Sequence, residues 1–400
     1  LNKILGIFLI LFLVNHCSLD KKSGIWTKPQ KIKEVKKIEV ENLIKKDEIL
    51  KKEFNQNLKI KISAKLINKS FVNNFDNNNG RVNYNGNLKN ISKFKFSKID
   101  NFAYYEPEIV FDNDNVIFFD NKGSILKFNN SSKLIWKKNY YSKNEKKLKP
   151  ILFFAKKKNT LIVTDNITRY YALDTNSGNL LWSKNNIAPF NSQVKIYKDR
   201  FFVVDFENIL RSYSIKDGKE IWKLNTDKAF LKSQKKLSLI IVNKIVYFNN
   251  SLGDISAVDA ESGNLLWQTP TQSTAIYENA FLLKTSDLVA DEKSILLSNN
   301  KNEFFSLDLK TGNLNWKQKV NSNLRSTIID NMIFSITIEG FLTIMEKNSG
   351  NILRNTDLFK EFNNKKRKNI KPIGFIVGTD KIYLTTNNGR LIIVDIMSGR

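Results

Sequence analysis

Residues 171–182 read YALDTNSGNLLW, and nearly the same words return at 256–267, SAVDAESGNLLW, and at 305–316, FSLDLKTGNLNW. Aligned on the glycine, weaker copies fall into phase. Gly178, Gly218, Gly263, Gly312, Gly350 and Gly399 share one position, and Ser132 holds it in FNNSSKLIW. The interval of about 38 to 49 residues is the length of a repeating supersecondary unit. Four residues after that position stands a Trp in five copies: Trp136, Trp182, Trp222, Trp267 and Trp316; Arg354 replaces it in the next.

Working outward from the motif, each unit holds short alternating runs separated by Asn, Asp and Gly. The second reads ILFFA, TLIVTD, ITRYYALD, the TNSG turn and LLWSKN. Runs of four to eight residues with alternating apolar positions and such turns are antiparallel strands. Four strands at this period describe a blade of a β-propeller. A blade alone cannot bury both faces, whereas blades stacked around an axis cover one another and hide most strand edges. The motif residues then acquire structural roles. Asp174, Asp259 and Asp308 accept turn amides. The glycine takes a positive φ. The Trp lays a flat apolar face on the next blade and offers its indole N–H to a carbonyl.

The pattern Ala172-x-Asp174-x3-Gly178-x3-Trp182 resembles the pyrroloquinoline-quinone-type propeller repeat; residues 257–267 match it equally, and 306–316 match with Ser306 for Ala. The resemblance covers residues 91–400. Seven three-strand groups begin near Glu108, Ile151, Ser192, Leu237, Leu288, Ser326 and Ile373. The expected fold is therefore an all-β propeller of four-stranded antiparallel blades. Seven blades are countable, or eight if the C-terminus is truncated, because the chain stops inside a motif. ISKFKFS (91–97) is expected to lend the last blade its missing strand.

Before the repeats lie two other segments. Residues 4–14 form an apolar run behind Lys3, too short to span a bilayer, and Cys17 follows directly. This resembles a lipoprotein signal at 1–17, with His16 where that signal carries a small residue; the resemblance implies acylation of Cys17 and, with Ser18 next, an outer-membrane address. Residues 18–90 are rich in Lys, Glu and Asn, as in KIKEVKKIEVENLIKKDEILKKEF and NNFDNNNGRVNYNGN. Such composition buries too little apolar surface to offset chain entropy. It is read as a tether with one short helix.

Composition narrows the function. The formal net charge is +26, from 65 Lys and Arg against 39 Asp and Glu. A basic balance suits nucleic acid, an acidic membrane face or an acidic partner. The lysines are spread through every segment among asparagines, without the aromatic interleaving of a nucleic-acid stripe, which points to compositional bias. His16 and Cys17 are the only His and Cys. The body thus has no Ser-His-Asp triad, no Cys nucleophile and no Cys/His zinc site. No metal or cofactor is expected.

Two classes use this repeat. A quinoprotein dehydrogenase would hold pyrroloquinoline quinone and calcium on the axis; this chain lacks the adjacent cysteines and any acidic cluster outside the turns. The chain otherwise resembles the BamB-like lipoproteins of the outer-membrane β-barrel assembly machinery. That resemblance implies a non-catalytic periplasmic scaffold that is lipid-anchored and docks on the machinery's central barrel-inserting subunit. A generic periplasmic propeller interaction protein is the further alternative. Three junctions after the Trp strand carry an apolar–basic–Ser pattern: Leu231-Lys232-Ser233, Leu283-Lys284-Thr285-Ser286 and Leu324-Arg325-Ser326. BamB-like proteins place a Leu–Arg element in such a loop for docking. Leu231, Lys232, Leu283, Lys284, Leu324 and Arg325 are accordingly the expected partner contacts. The same residues equally well begin the next blade, with Leu in the core and the hydroxyl on a turn amide.

Overall fold

The computed structural model of the chain describes residues 50–62, 109–227, 235–272 and 283–400. All of them belong to one compact unit, residues 49–400. The described residues form seven antiparallel sheets in sequence order, six of four strands and one of three. These are the blades, at 110–138, 152–185, 195–225, 239–269, 289–318, 327–357 and 372–395. Within every blade each strand pairs with the next in the chain, an up-and-down meander closed by tight turns. The expected β-propeller of seven countable blades is what forms. The segment 91–97, expected as the closing strand, lies outside the described residues, as do Cys17, Leu231 and Lys232.

Buried apolar side chains gather between blades. One cluster runs from Ile117 and Phe119 through Phe154 and Tyr171 to Phe201 and Tyr213, across blades 1, 2 and 3. Others join blades 3 and 4 through Phe202, Phe248 and Val258, and blades 4 and 5 through Tyr247, Ile295 and Leu307. Blades 5 and 6 share Phe304, Ile333 and Met345, and blades 6 and 7 share Phe334, Ile344 and Ile382. The two-residue alternation of each strand feeds the two faces of its blade, so each face finds its cover in a neighbour.

The motif Trp is the seam. Trp182 Nε1 donates to the Ile215 carbonyl of the following blade at 2.9 Å, and Trp316 Nε1 to that of Lys347 at 2.9 Å. Trp136, Trp222 and Trp267 do the same to Thr175, Ala260 and Leu309. The indole lies against the turn glycine of that next blade. At Gly312 (φ +74°) a Cβ would stand 2.5 Å from Trp267 Cε3, so both the backbone and the neighbour require glycine. At Gly178, Gly218, Gly263 and Gly350 a Cβ would stand 2.9, 2.6, 2.7 and 2.5 Å from Trp136, Trp182, Trp222 and Trp316. Opposite Trp182, Trp222, Trp267 and Trp316 across the strand pair are Ala172, Ser212, Ala257 and Ser306. Directly paired residues share a face, so a small partner leaves room for the indole. The Asp works as expected: Asp174 Oδ1 accepts Asn176 N, Ser177 N and Ser177 Oγ, and Asp259 and Asp308 repeat the set.

A second turn, between the second and third strands, is built alike. Oδ1 of Asp120, Asp165, Asp205 and Asn250 each accepts the amides two and four residues on. Thr337 and Thr386 use their hydroxyls at the same place.

The stretch 50–62, expected as tether, lies on the ring. Phe54 forms an antiparallel bridge with Asn355 of the outermost strand of blade 6, and Ile60 is buried among Phe334, Ile344 and Ile396.

Candidate functional site

The first strand of each blade is the inner one. Those of blades 1 and 2, 2 and 3, 3 and 4, and 5 and 6 touch side by side. The segments leading into them therefore converge on one mouth of the ring. They carry the three repeated junctions expected as docking elements, together with polar residues that the motif did not reveal.

Gln193 enters blade 3, and its Nε2 donates to Asp287 Oδ2 at the entrance of blade 5, at 2.9 Å. The contact steps over blade 4, whose Ser238 Oγ and Leu239 N donate to Gln193 Oε1. Lys235, entering blade 4, donates its ammonium to the carbonyls of Asn323 (2.7 Å) and Thr285, at the entrances of blades 6 and 5. Asn249 Nδ2 donates to Thr285 Oγ1 at 2.9 Å. Four successive blades are thus cross-linked at this mouth by side chains that sequence separation conceals.

The electrostatics are one-sided. Burial on its own would raise the Asp287 carboxyl. The charges of Lys236, Lys235, Arg325 and Lys195 outweigh that and hold it below the ordinary carboxylate value. Four cations from blades 3, 4 and 6 surround one carboxylate, and Lys195 and Lys236 are themselves buried. A low-dielectric rim carrying a net positive charge focuses field outward and attracts an anionic surface.

The expected contact residues divide by burial. Leu283 is buried against the turn at Gly253 and serves the core. Ser286 Oγ accepts Ser298 N, an amide of the second strand of blade 5, at 2.9 Å. Lys284 is exposed, while Leu324 and Arg325 are half-buried at the blade 6 entrance. Leu231 and Lys232 fall outside the described residues. The structure adds Gln193, Lys195, Lys235, Lys236 and Asp287 to the mouth. Among the described residues no three His, Cys, Asp or Glu side chains group as metal ligands. Among them too, no helix is long and apolar enough to cross a membrane.

Residues 121–356 match the family described as outer membrane protein assembly factor BamB. Among solved structures the chain is similar to BamB from Moraxella catarrhalis, with a TM-score of 0.56 at 13% identity over 72% of this chain and 87% of that one. It also aligns with the computationally designed Ika8 protein, at a TM-score of 0.41 and 11% identity over 72% of this chain and 95% of that one. No curated protein matches the chain.

Proposed function

The chain belongs to the outer membrane protein assembly factor BamB family, and on that premise we propose that it is a non-catalytic scaffold for assembly of outer-membrane β-barrel proteins. It is held at the periplasmic face of the outer membrane by a lipid on Cys17. The ring presents its mouth to a periplasmic part of the machinery's central barrel-inserting subunit. The observation that carries this reading is the cationic rim, where Lys195, Lys235, Lys236 and Arg325 outnumber Asp287. Lys284, Leu324 and Arg325 supply the outward contacts, with Leu231 and Lys232 on the preceding junction. An apolar anchor ringed by positive charge suits a partner surface of opposite sign: the charge steers the encounter and the buried centre supplies the hold.

Rigidity is the mechanism. The junction of residues 319–326 is held at both ends by blades that share a core, so Leu324 and Arg325 are preorganised and their binding pays little ordering entropy. The deciding experiment is capture of the full-length, membrane-anchored protein from its native envelope. Co-purification of the barrel-inserting subunit is expected. Recovery of a bound quinone with calcium, and no such subunit, would assign the chain to the dehydrogenases.

A further inference from the structure

Blade 6 breaks the motif, and the break has a partner. Where the other described outer strands carry Trp, blade 6 carries Arg354, which is fully buried. Its Nη2 donates to the Ile396 carbonyl of blade 7 at 2.7 Å, the carbonyl that a Trp would have taken. Nη1 reaches further, to the carbonyls of Met397 (2.6 Å) and Leu58 (3.0 Å). An indole has one N–H; a guanidinium has five, and can bond the next blade and a second segment together.

That second segment is residues 50–62. Phe54 N and O pair with Asn355 O and N at 2.9 and 3.0 Å. Asn355 Nδ2 donates to the Lys52 carbonyl, Asn55 Nδ2 to that of Leu353, and Ile60 N to that of Met397. The Asp357 amide donates to Glu53 Oε1 at 3.2 Å. Ile60 closes the contact as a buried aliphatic anchor, whereas Phe54 points its ring to solvent, 52% exposed. Most of these bonds go to main chain, so the slot reads extended backbone and asks for one branched side chain. At the place of Asn355 the outer strands of blades 1, 2, 3 and 5 expose Lys137, Ser183, Lys223 and Lys317, but in blade 6 Asn355 and Thr356 are buried.

We propose that the outer edge of blade 6 is an acceptor slot for an extended segment, that Arg354 is its receptor group, and that its occupant is the chain's own strap at residues 50–62. Arg354 is a buried cation whose two terminal nitrogens bond only carbonyls while its Nε has none, so losing the Leu58 carbonyl is costly, which holds the strap against fraying. The consequence is geometric. The chain is pinned to the ring from residue 50 onward, so the 33 residues between Cys17 and that point, at most about 120 Å of extended contour, are what can separate them. Where Cys17 carries the lipid, as in the function proposed above, the strap sets how far the mouth can stand from the membrane.

The test is hydrogen exchange on the full chain, with tryptic cleavage after Lys52 and Lys59 as a second readout. Both are independent of the docking partner and of the anchor. In the native protein the Phe54 and Ile60 amides are expected to exchange at least tenfold more slowly than free chain. Arg354→Trp, which restores the motif, is expected to abolish that protection while the blades keep theirs. Ile60→Asp, which leaves every blade residue in place, is expected to do the same and guards against misfolding of the first variant. A native strap that exchanges as free chain, or one equally protected in both variants, overturns the proposal.

Discussion

At the residue scale the fold rests on a repeated pair, a Trp from one blade seated on a turn glycine of the next. The Trp and the glycine were each legible because they recur four residues apart at Trp182, Trp222, Trp267 and Trp316, but that the ring sits on the glycine of the next blade was not. The strictness of the pair yields a prediction. Gly312→Ala places a methyl 2.5 Å from the Trp267 ring at φ +74°. Overpacking and left-handed strain together are expected to cost roughly 2–4 kcal/mol, read as a lower urea midpoint at unchanged m-value. An alanine variant as stable as the parent would show that the blades are not sealed there. Arg354 shows where residue reading stops. As a missing Trp it was visible; as a receptor for a distant segment it was not, because nothing local to it names Leu58.

At the scale of the element, strands were legible from alternation and the Asp-x3-Gly turn from its repeats. The other turn was passed over. Its signature is an Asp, Asn or Thr whose side chain caps the turn, with a positive-φ residue three places on: Gly123, Thr168, Asn208, Gly253, Gly340 and Gly389. The variety of residues at both places hid the period. Asp165 of this turn also titrates unusually. Burial raises its carboxyl to about 6, against the hydrogen bonds from Tyr141, Ile167 N and Arg169 N and the charge of Arg169. A carboxyl raised in the fold binds its proton more tightly there than in the unfolded chain. Its contribution is thus whole below about pH 4 and is lost as pH climbs to about 6. Asp165→Asn removes this loss. The variant's stability relative to the parent is expected to grow by roughly 2–3 kcal/mol between pH 4 and 6 in denaturant titrations. A constant difference across that window would mean that Asp165 is ordinary.

At the scale of the molecule, the stacking of blades around an axis does what sequence cannot announce. Gln193 and Asp287 are 94 residues apart and share a hydrogen bond. The cationic mouth is made of lysines that look unexceptional in a chain with a net charge of +26. The three junction motifs were visible as repeats, but only the structure separates Leu283, buried in the core, from Lys284 at the surface. The strap was read as tether for the same reason: its composition resembles its neighbours, and its affinity for the ring lies in backbone bonds.

The most direct measurement of the account is the affinity of the purified full chain for the periplasmic part of the barrel-inserting subunit, compared with a variant carrying Lys232→Glu, Lys284→Glu and Arg325→Glu. Reversal of these three charges is expected to weaken binding at least tenfold, with most of the loss vanishing at high salt, and to lower the melting temperature only as far as Arg325→Glu alone does by placing a second carboxylate near Asp287. Equal affinity of parent and variant at low salt would contradict the docking mouth.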